Sequence, residues 1–268
     1  MAIRHAAVKA SGETGLASEW NADHVVTGAN LALRSRTKII AANNSLDKER
    51  ADYVCDGTAD EVQINTAITA LAGLGGTVIL LEGTFTIASS IILSNNITLA
   101  GQGRGTKITT TEDIIMISAA NKTGITISNL YIISGTASRG ISFSTVALSI
   151  IKGCWVEGVY MNLLDLGVCT GVMIEGNFLI DGGTDGIFLD ACERLVIASN
   201  IITDCATGID LWGSNRCVIS GNRTNLNAFD GILIADAPST RNLVHGNISP
   251  DGITDNGTLT TVADNVTA

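Results

Sequence analysis

One short motif repeats along the second half of the chain and decides the fold: Ile174-Glu-Gly-Asn177, Ile197-Ala-Ser-Asn200, Ile219-Ser-Gly-Asn222 and Val244-His-Gly-Asn247. The copies follow one another every 22 to 25 residues. Between them a second motif recurs with the same period: Gly186-Ile-Phe-Leu189, Gly208-Ile-Asp-Leu211 and Gly231-Ile-Leu-Ile234. A fixed period of this length is typical of solenoids, whose coils bury their apolar side chains against their neighbours. We therefore predict a solenoid with about 22–25 residues per coil.

The composition indicates that this solenoid is all-β. Glycine is plentiful (29), proline is rare (2), and Ile, Val and Thr, which favour strands, are abundant. No apolar stretch reaches the roughly 18 residues of a membrane helix. The first 30 residues lack the basic start and apolar segment of a signal peptide. We expect no membrane insertion and no secretion by the usual signal.

Negative charge is concentrated on the repeat-bearing part of the chain. The net charge is −10, and residues 51–268 hold nine Lys/Arg against 21 Asp/Glu, a net of −12. Such a surface repels the phosphates of nucleic acids, so we expect no nucleic-acid partner. It also disfavours polyanionic sugars unless a cation or a basic stripe intervenes.

The cysteines predict no metal site. Six cysteines form no CxxC pair, and the chain has only three histidines. Cys169 and Cys192 each stand eight residues before a repeat asparagine, so in stacked coils they lie about 4.8 Å apart. That distance permits a disulfide. Two reduced thiols that act as small apolar fillers also fit this spacing, and we favour this alternative.

The chain divides into an arm or linker at residues 1–36 and a solenoid domain at residues 37–268. A single amphipathic helix is predicted over residues 59–72, with Val62, Ile64, Ile68 and Leu71 at helical spacing and Gly73 to Gly76 ending it. A solenoid leaves open strand edges at its end, which must be hidden from edge-to-edge pairing. The helix stands where a cap for the first coil is needed.

The segment around this helix resembles a known superfamily. Asp56-Gly-Thr-Ala-Asp60-Glu, then Gly75-Gly76-Thr-Val-Ile-Leu-Leu-Glu-Gly83, then Asn96-Ile-Thr-Leu-Ala-Gly101-Gln-Gly103 are similar to the N-terminal cap and first coils of pectate-lyase-like, right-handed parallel β-helices. The resemblance is dense over residues 53–107 and extends in looser form to about residue 250. Gly15 to His24 resembles the start of phage tail-fibre and tailspike-type proteins. That second resemblance implies a parallel homotrimer and a virion-associated or extracellular location.

A leucine-rich repeat is the alternative fold. Leu195-x-Ile197-x-x-Asn200-x-Ile202 fits the strand of such repeats, where asparagine also forms a ladder. However, each repeat carries a second Gly-Ile strand motif where a leucine-rich repeat has a helix or a leucine-rich turn. The sequence therefore favours the parallel β-helix.

Alignment of the coils places acidic and aromatic side chains on one outer face. Phe143, Leu166, Leu189, Leu211 and Ile234 become equivalent and point inward, so their neighbours point outward. Those neighbours include Asp165, Phe188 and Asp210 in one column and Asp190 and Trp212 in the next.

Aromatic faces bind sugar rings, and paired carboxylates catalyse glycoside hydrolysis. Asp190 should lie roughly 8 Å from Asp165 and Asp210, within the range of inverting glycosidases. We predict Asp165, Asp190 and Asp210 as catalytic residues, with Asp190 as the acid because both other carboxylates adjoin it. Phe188 and Trp212 are the predicted sugar-binding residues. Sugar binding without catalysis and a plain solvated surface remain alternatives.

Arg194, Arg216 and Arg241 each stand six residues before a repeat asparagine and should stack in consecutive coils. They could bind an anion such as a uronate or sulfate chain, and we include them among the substrate-binding candidates. Neutralisation by Glu193 and Asp236 is the alternative. The superfamily resemblance implies that its lyases pair a basic residue with Ca²⁺-binding carboxylates, but no acidic column aligns beside these arginines.

Three functions follow from these observations. The first is a carbohydrate-directed β-helix of tailspike or surface type, which binds a polysaccharide or cell-surface glycan and, if catalytic, is an inverting depolymerase. The second is a structural or adhesion module without catalysis. The third is a uronate lyase or epimerase. No cofactor is expected, except Ca²⁺ under the lyase hypothesis.

Overall fold

Every complete coil of the protein contributes one strand to each of three parallel sheets. The computed structural model describes residues 36–267. Apart from Arg36, the arm predicted for residues 1–36 lies outside this range. Within it the chain forms a right-handed parallel β-helix, which confirms the predicted fold class.

The described elements are 26 strands, one α-helix and two 3-10 helices, at Lys48–Arg50 and Gly103–Gly105. The helix is α1 (Glu61–Leu71). The strands are β1 (Thr37–Ala41), β2 (Tyr53–Val54), β3 (Gly76–Leu80), β4 (Gly83–Thr86), β5 (Ile91–Ile92), β6 (Ile97–Ala100), β7 (Thr106–Thr109), β8 (Ile115–Ala120), β9 (Thr126–Ser128), β10 (Tyr131–Ile133), β11 (Arg139–Ser144), β12 (Ile150–Lys152), β13 (Trp155–Glu157), β14 (Leu164–Gly167), β15 (Met173–Glu175), β16 (Phe178–Ile180), β17 (Asp185–Asp190), β18 (Val196–Ala198), β19 (Ile201–Thr203), β20 (Thr207–Trp212), β21 (Val218–Ser220), β22 (Arg223–Asn225), β23 (Ile232–Ile234), β24 (Leu243–His245), β25 (Ile253–Asp255) and β26 (Thr261–Ala263).

The strands join into sheets A, B and C, and every named pairing is parallel. Sheet A has the order β2-β1-β3-β6-β9-β12-β15-β18-β21-β24-β26. Sheet B runs β22-β19-β16-β13-β10-β7-β4, and sheet C runs β25-β23-β20-β17-β14-β11-β8-β5. The Gly-Ile motifs form strands of sheet C rather than helices, so the leucine-rich alternative is wrong.

Inward-facing Ile, Leu and Val side chains from all three sheets fill the core. The predicted inward column is confirmed, since Phe143, Leu166, Leu189, Leu211 and Ile234 are all buried. Their burial fixes which side chains of sheet C face outward.

The repeat asparagines form the buried ladder that stacking of coils predicts. Asn200 Oδ1 accepts hydrogen bonds from the backbone N–H (3.0 Å) and the side-chain amide (2.9 Å) of Asn177. Asn222 and Asn247 repeat both contacts with the asparagine one coil earlier. Each side chain thus satisfies the turn of the preceding coil, where water cannot reach.

The cysteines are all free thiols in the described structure. The Cys169 backbone N–H donates to Cys192 Sγ (3.4 Å), and the Cys192 N–H donates to Ser214 Oγ (3.0 Å). Stacking therefore gives a second ladder, in which a thiol takes the place of a hydroxyl. Of the two alternatives left by the sequence, the reduced thiols are present.

The predicted helix caps the first coil through its side chains. It begins at Glu61 and ends at Leu71, slightly inside the predicted residues 59–72. The N-cap residue Asp60 and two helix side chains accept backbone hydrogen bonds from residues 86–92: Asp60 from Thr86 (2.7 Å), Glu61 from Ala88 (2.9 Å) and Asn65 from Ile92 (2.8 Å). These side-chain oxygens take the place of the hydrogen-bond acceptors that a preceding coil would provide. The backbone N–H groups at the terminal edge are therefore hydrogen-bonded, and the edge is also covered by the helix.

A break in the side-chain alternation of sheet C determines which acidic side chains reach its outer face, although the strands stay in register. Gly186 and Ile187 are both buried, and a Cβ on Gly186 would lie 2.3 Å from Ile202 Cγ2 in the core. Two successive residues therefore face inward, and the usual alternation is broken. Asp185 then lies half-buried at the surface, three residues before Phe188. This crowding explains the glycine of the Gly-Ile motif.

Candidate active site on the outer face of sheet C

The predicted outer columns of sheet C are present in the structure. Asp165 pairs with Phe188, which pairs with Asp210 in the next coil. Asp190 pairs with Trp212 in the same way. The five residues predicted for this face therefore lie together within three successive coils.

Asp185 is a fourth carboxyl of this face, and the sequence did not predict it. It lies in the coil between those of Asp165 and Asp210. Burial, followed by the negative charges of Asp210 and Asp165, raises the pKa of Asp185 to about 7. A hydrogen bond with Thr207 opposes this rise only in part. Asp185 is thus a carboxyl that can hold a proton near neutral pH.

Asp165 is ion-paired with Arg139, a second residue that the sequence did not predict. Arg139 begins β11 in the preceding coil. Burial raises the pKa of Asp165, and the negative charge of Asp190 adds to that effect, whereas the Arg139 guanidinium opposes it. The pair favours the ionised form of Asp165 beside the protonated form of Asp185.

Asp210 is more buried than the sequence predicts, with only 8% of its surface exposed. Phe188 and Leu233 flank it in the neighbouring coils, and its Oδ2 accepts a hydrogen bond from Trp212 Nε1 (3.0 Å). Burial raises the pKa of Asp210 to about 6 against this hydrogen bond. Its Oδ1 is buried without a hydrogen-bond partner among the described residues. An acceptor left in that state favours a proton on the carboxyl.

Asp190 and Trp212 lie at the exposed margin of the face. Asp190 is the last residue of β17, and Trp212, which is 48% exposed, is the last residue of β20. The negative charge of Asp190 acts on Asp165, and Asp185 is the carboxyl on which the charges of both Asp165 and Asp210 act. A catalytic role for Asp190 stays a prediction.

The arginine column lies on the turns that follow sheet C. Arg194, Arg216 and Arg241 all have left-handed backbone angles (φ 55–58°) at equivalent turn positions. Glu193 forms ion pairs with Arg194 (3.3 Å) and Arg216, which is the neutralisation considered as the alternative. Arg241 is exposed and forms no ion pair within residues 36–267. Anion binding by this column stays a prediction.

These features define a right-handed parallel β-helix protein with an acidic and aromatic outer sheet. Residues 64–249, more than two thirds of the chain, match the family described as periplasmic copper-binding protein (NosD). The chain belongs to the NosD family. No curated protein matches its sequence.

The described residues, 36–267, do not fit a copper site. Between Arg36 and Thr267 no three His, Cys, Asp or Glu side chains are grouped to hold a metal ion. The cysteines, whose thiolates would be soft ligands, are buried, and burial raises the pKa of Cys55, Cys154 and Cys205 to about 12. The same residues contain no helix long and apolar enough to cross a membrane.

Solved structures with the same fold include three enzymes. They are the mannuronan C-5 epimerase A-module of Azotobacter vinelandii (19% identity, 78% of this chain and 63% of that chain, TM-score 0.60), an alginate lyase from Paenibacillus (15%, 80% and 76%, 0.59) and an exopolygalacturonase from Thermotoga maritima (14%, 78% and 72%, 0.60). At this identity the likeness shows the fold alone. The chain spans only 63% of the length of the epimerase module.

Proposed function

We propose that the outer face of sheet C binds a glycan and hydrolyses its glycosidic bonds, with Asp185 as general acid and Asp165 as general base. The observation that carries this proposal is the partly buried position of Asp185 between Asp165 and Asp210, where burial and then the charges of both carboxylates raise its pKa to about 7. Glycoside hydrolysis needs one protonated and one ionised carboxyl at the same pH. Arg139 keeps Asp165 suited to the second role.

The separation of these carboxyls favours an inverting reaction. Phe188 is the residue of the next coil that pairs with Asp165, and Asp185 stands three positions before Phe188 on the same strand. With about 4.8 Å between coils and about 3.3 Å per residue along the strand, their backbone positions are roughly 11 Å apart, and the carboxyls come closer where the two side chains lean toward each other. Inverting enzymes need about 6.5–9.5 Å between the carboxyls, which leaves room for the attacking water. The ionised Asp165 would deprotonate that water while Asp185 protonates the departing sugar oxygen.

Trp212 and Phe188 supply the apolar contacts for a sugar ring. Trp212 is 48% exposed, and its hydrogen bond to Asp210 (3.0 Å) fixes its orientation beside the carboxyls. A sugar that stacks on this indole would lie within the acidic face. Asp210 would thus position the platform rather than transfer a proton.

A neutral glycan suits the face better than a polyuronate. Residues 51–268 carry a net charge of −12. Arg139 is a cation on this face, but its charge is already neutralised by the ion pair with Asp165. A chain of uronates would be repelled by the remaining carboxylates. This charge pattern disfavours the lyase and epimerase hypotheses, which require an anionic substrate.

The test is incubation with neutral and acidic polysaccharides, with measurement of new reducing ends and of the ultraviolet absorbance of unsaturated uronates. Reducing ends without absorbance from a neutral glycan are expected. Asp185→Asn should abolish them yet retain binding, because the amide keeps the shape but carries no transferable proton. Trp212→Ala should weaken binding. Absorbance would support a lyase instead, and binding without products would support adhesion.

Asp190→Asn separates the two candidate acids. If Asp185 is the acid, this variant retains measurable turnover, whereas Asp185→Asn does not. Full activity in Asp185→Asn with loss in Asp190→Asn would return the acid role to Asp190. Nuclear magnetic resonance of the first product anomer distinguishes inversion from retention.

A parallel homotrimer and a virion-associated or extracellular location accompany this proposal as predictions from the resemblance to tailspike-type proteins. Light scattering tests the trimer. The mass of a single chain, 27.8 kDa, would contradict it.

A further inference from the structure

Two highly exposed aromatic side chains stand on the turns that lead into sheet C. Tyr160 and Phe229 are each 73% exposed. They stand 69 residues apart, at neighbouring positions of the stacked turns, because Phe229 is in register with Met161, the residue after Tyr160. Backbone N–H groups connect this register from coil to coil: Thr184 donates to Met161 O (3.1 Å), Ala206 to Thr184 O (2.6 Å) and Phe229 to Ala206 O (2.8 Å). Three coils, or about 14 Å, therefore separate the two rings.

The surface between these aromatics is recessed because the side chains there are small. Gly183 has no room for a side chain, since a Cβ there would lie 2.0 Å from Tyr160 O. Beside Tyr160 the surface forms a depression of about 510 Å³, lined also by Val159, Asp181 and Thr184. Its polar groups can pair with hydroxyls, and its aromatic wall can stack on a ring.

This depression adjoins the margin of the acidic face in the coils of Tyr160 and Gly183. Thr184, at its edge, directly precedes Asp185. Tyr160 belongs to the coil of Asp165, and Phe229 to the coil that follows Asp210. The two rings therefore bracket the whole carboxyl cluster along the solenoid axis.

We infer that Tyr160 and Phe229 are sugar-stacking platforms at the two ends of an extended oligosaccharide site that passes Asp185. The inference rests on the proposed function and specifies its substrate class: a glycan chain long enough to reach both rings, cleaved in its interior. A disaccharide that occupies the cluster would touch at most one ring. The protein should therefore discriminate by chain length.

The test is binding of disaccharides and hexasaccharides of the cello-, malto- and laminari- series, together with soluble starch, laminarin, dextran and galactomannan. Isothermal titration calorimetry with Asp185→Asn prevents turnover during the measurement. In that background, Tyr160→Ala and Phe229→Ala should each weaken hexasaccharide binding about tenfold, as loss of a stacked aromatic does. Disaccharide binding should stay within about twofold. Circular dichroism should be unchanged because both side chains are exposed.

Leu148→Ala is the matched control. Leu148 is 72% exposed and lies on the turn at the opposite margin of sheet C, so its loss should change neither affinity. Equal losses in all three variants, equal losses for both chain lengths, or no loss from Tyr160 and Phe229 would overturn the inference.

The same measurements distinguish this inference from the proposed function. If the length-dependent losses occur but the unmodified chain releases no reducing ends, catalysis fails and the platforms stand. If the unmodified chain is hydrolytic and only Trp212→Ala weakens binding, the platforms fail and catalysis stands. Binding of none of these glycans would overturn both.

Discussion

The stability of the Asp185→Asn variant relative to the unmodified chain should be greater at pH 8 than at pH 4. The pKa of Asp185 is raised from 3.8 to about 7 in the folded protein. The folded state therefore holds the Asp185 proton more tightly than the unfolded state does. This contribution to stability is fully present below about pH 4 and is lost as the pH rises towards 7. The asparagine variant has no proton to lose.

The size of the effect follows from the shift. A rise of about three pKa units corresponds to about 4 kcal/mol at 1.36 kcal/mol per unit, which is an upper limit. Because Asp185 is only half-buried, solvent screening reduces this, and we expect about 2 kcal/mol. The difference between the two pH values isolates the ionisation, since any lost contact with Thr207 acts at both.

Urea unfolding followed by circular dichroism at pH 4 and pH 8 measures this difference, with slopes compared to check that unfolding remains cooperative. Asp236→Asn provides a control of opposite sign at pH 8. Burial of Asp236 raises its pKa, but hydrogen bonds from Ser239 and Gly213 outweigh this and lower it. Ionised Asp236 stabilises the fold above about pH 4, so its loss should destabilise at pH 8. Equal effects of Asp185→Asn at both pH values would refute the role of Asp185 as a buried, proton-holding carboxyl.

Three further predictions concern stability and charge. Asn200→Ala should cost about 2–6 kcal/mol of unfolding free energy in urea, since two buried Asn177 donors each lose an acceptor at about 1–3 kcal/mol; a midpoint equal to that of the exposed control Ser199→Ala would contradict this. Arg139→Gln should raise the pKa of the Asp165 carboxyl, measured by carbon resonance titration, while Arg139→Lys restores it; no movement would show that the ion pair leaves the charge unaffected. Glu61→Ala should cost about 1–3 kcal/mol because the Ala88 amide loses its acceptor, and faster hydrogen exchange at Ala88 locates the loss; unchanged exchange would count against the cap.

The stacked columns could be predicted from the sequence because the period of the repeat determines the register. Once Asn177 and Asn200 are aligned, Asp165, Phe188 and Asp210 must share a column, and they do. The amide ladder followed from the same alignment. The thiol state did not, because stacking at one strand spacing is compatible with a disulfide as well as with the hydrogen bond that Cys192 Sγ accepts.

Asp185 and Arg139 escaped prediction because they lie beyond the residues that directly flank the inward column. Strict alternation of side chains assigns only those flanking residues to the outer face. That rule covers Phe188 and Asp190 but fails at Gly186 and Ile187, which both face the core. The available signal was the glycine of the Gly-Ile motif, since a residue without Cβ at a fixed strand position indicates a close approach of neighbouring groups. The burial of Asp210 also depends on packing that register alone does not give, namely the indole of Trp212 against it.

The period of the Asn ladder has an evolutionary consequence. Each ladder contact joins a coil only to its immediate neighbour, so duplication or deletion of one whole coil preserves every hydrogen bond of the remaining turns. A gene rearrangement of 22–25 codons between Gly183 and Phe229 would therefore change the distance from Tyr160 to Phe229 by a single step of about 4.8 Å. Descendants of this chain could thus inherit sites for longer or shorter ligands without a new fold. The number of coils between the two aromatics would set the ligand length that the site accepts.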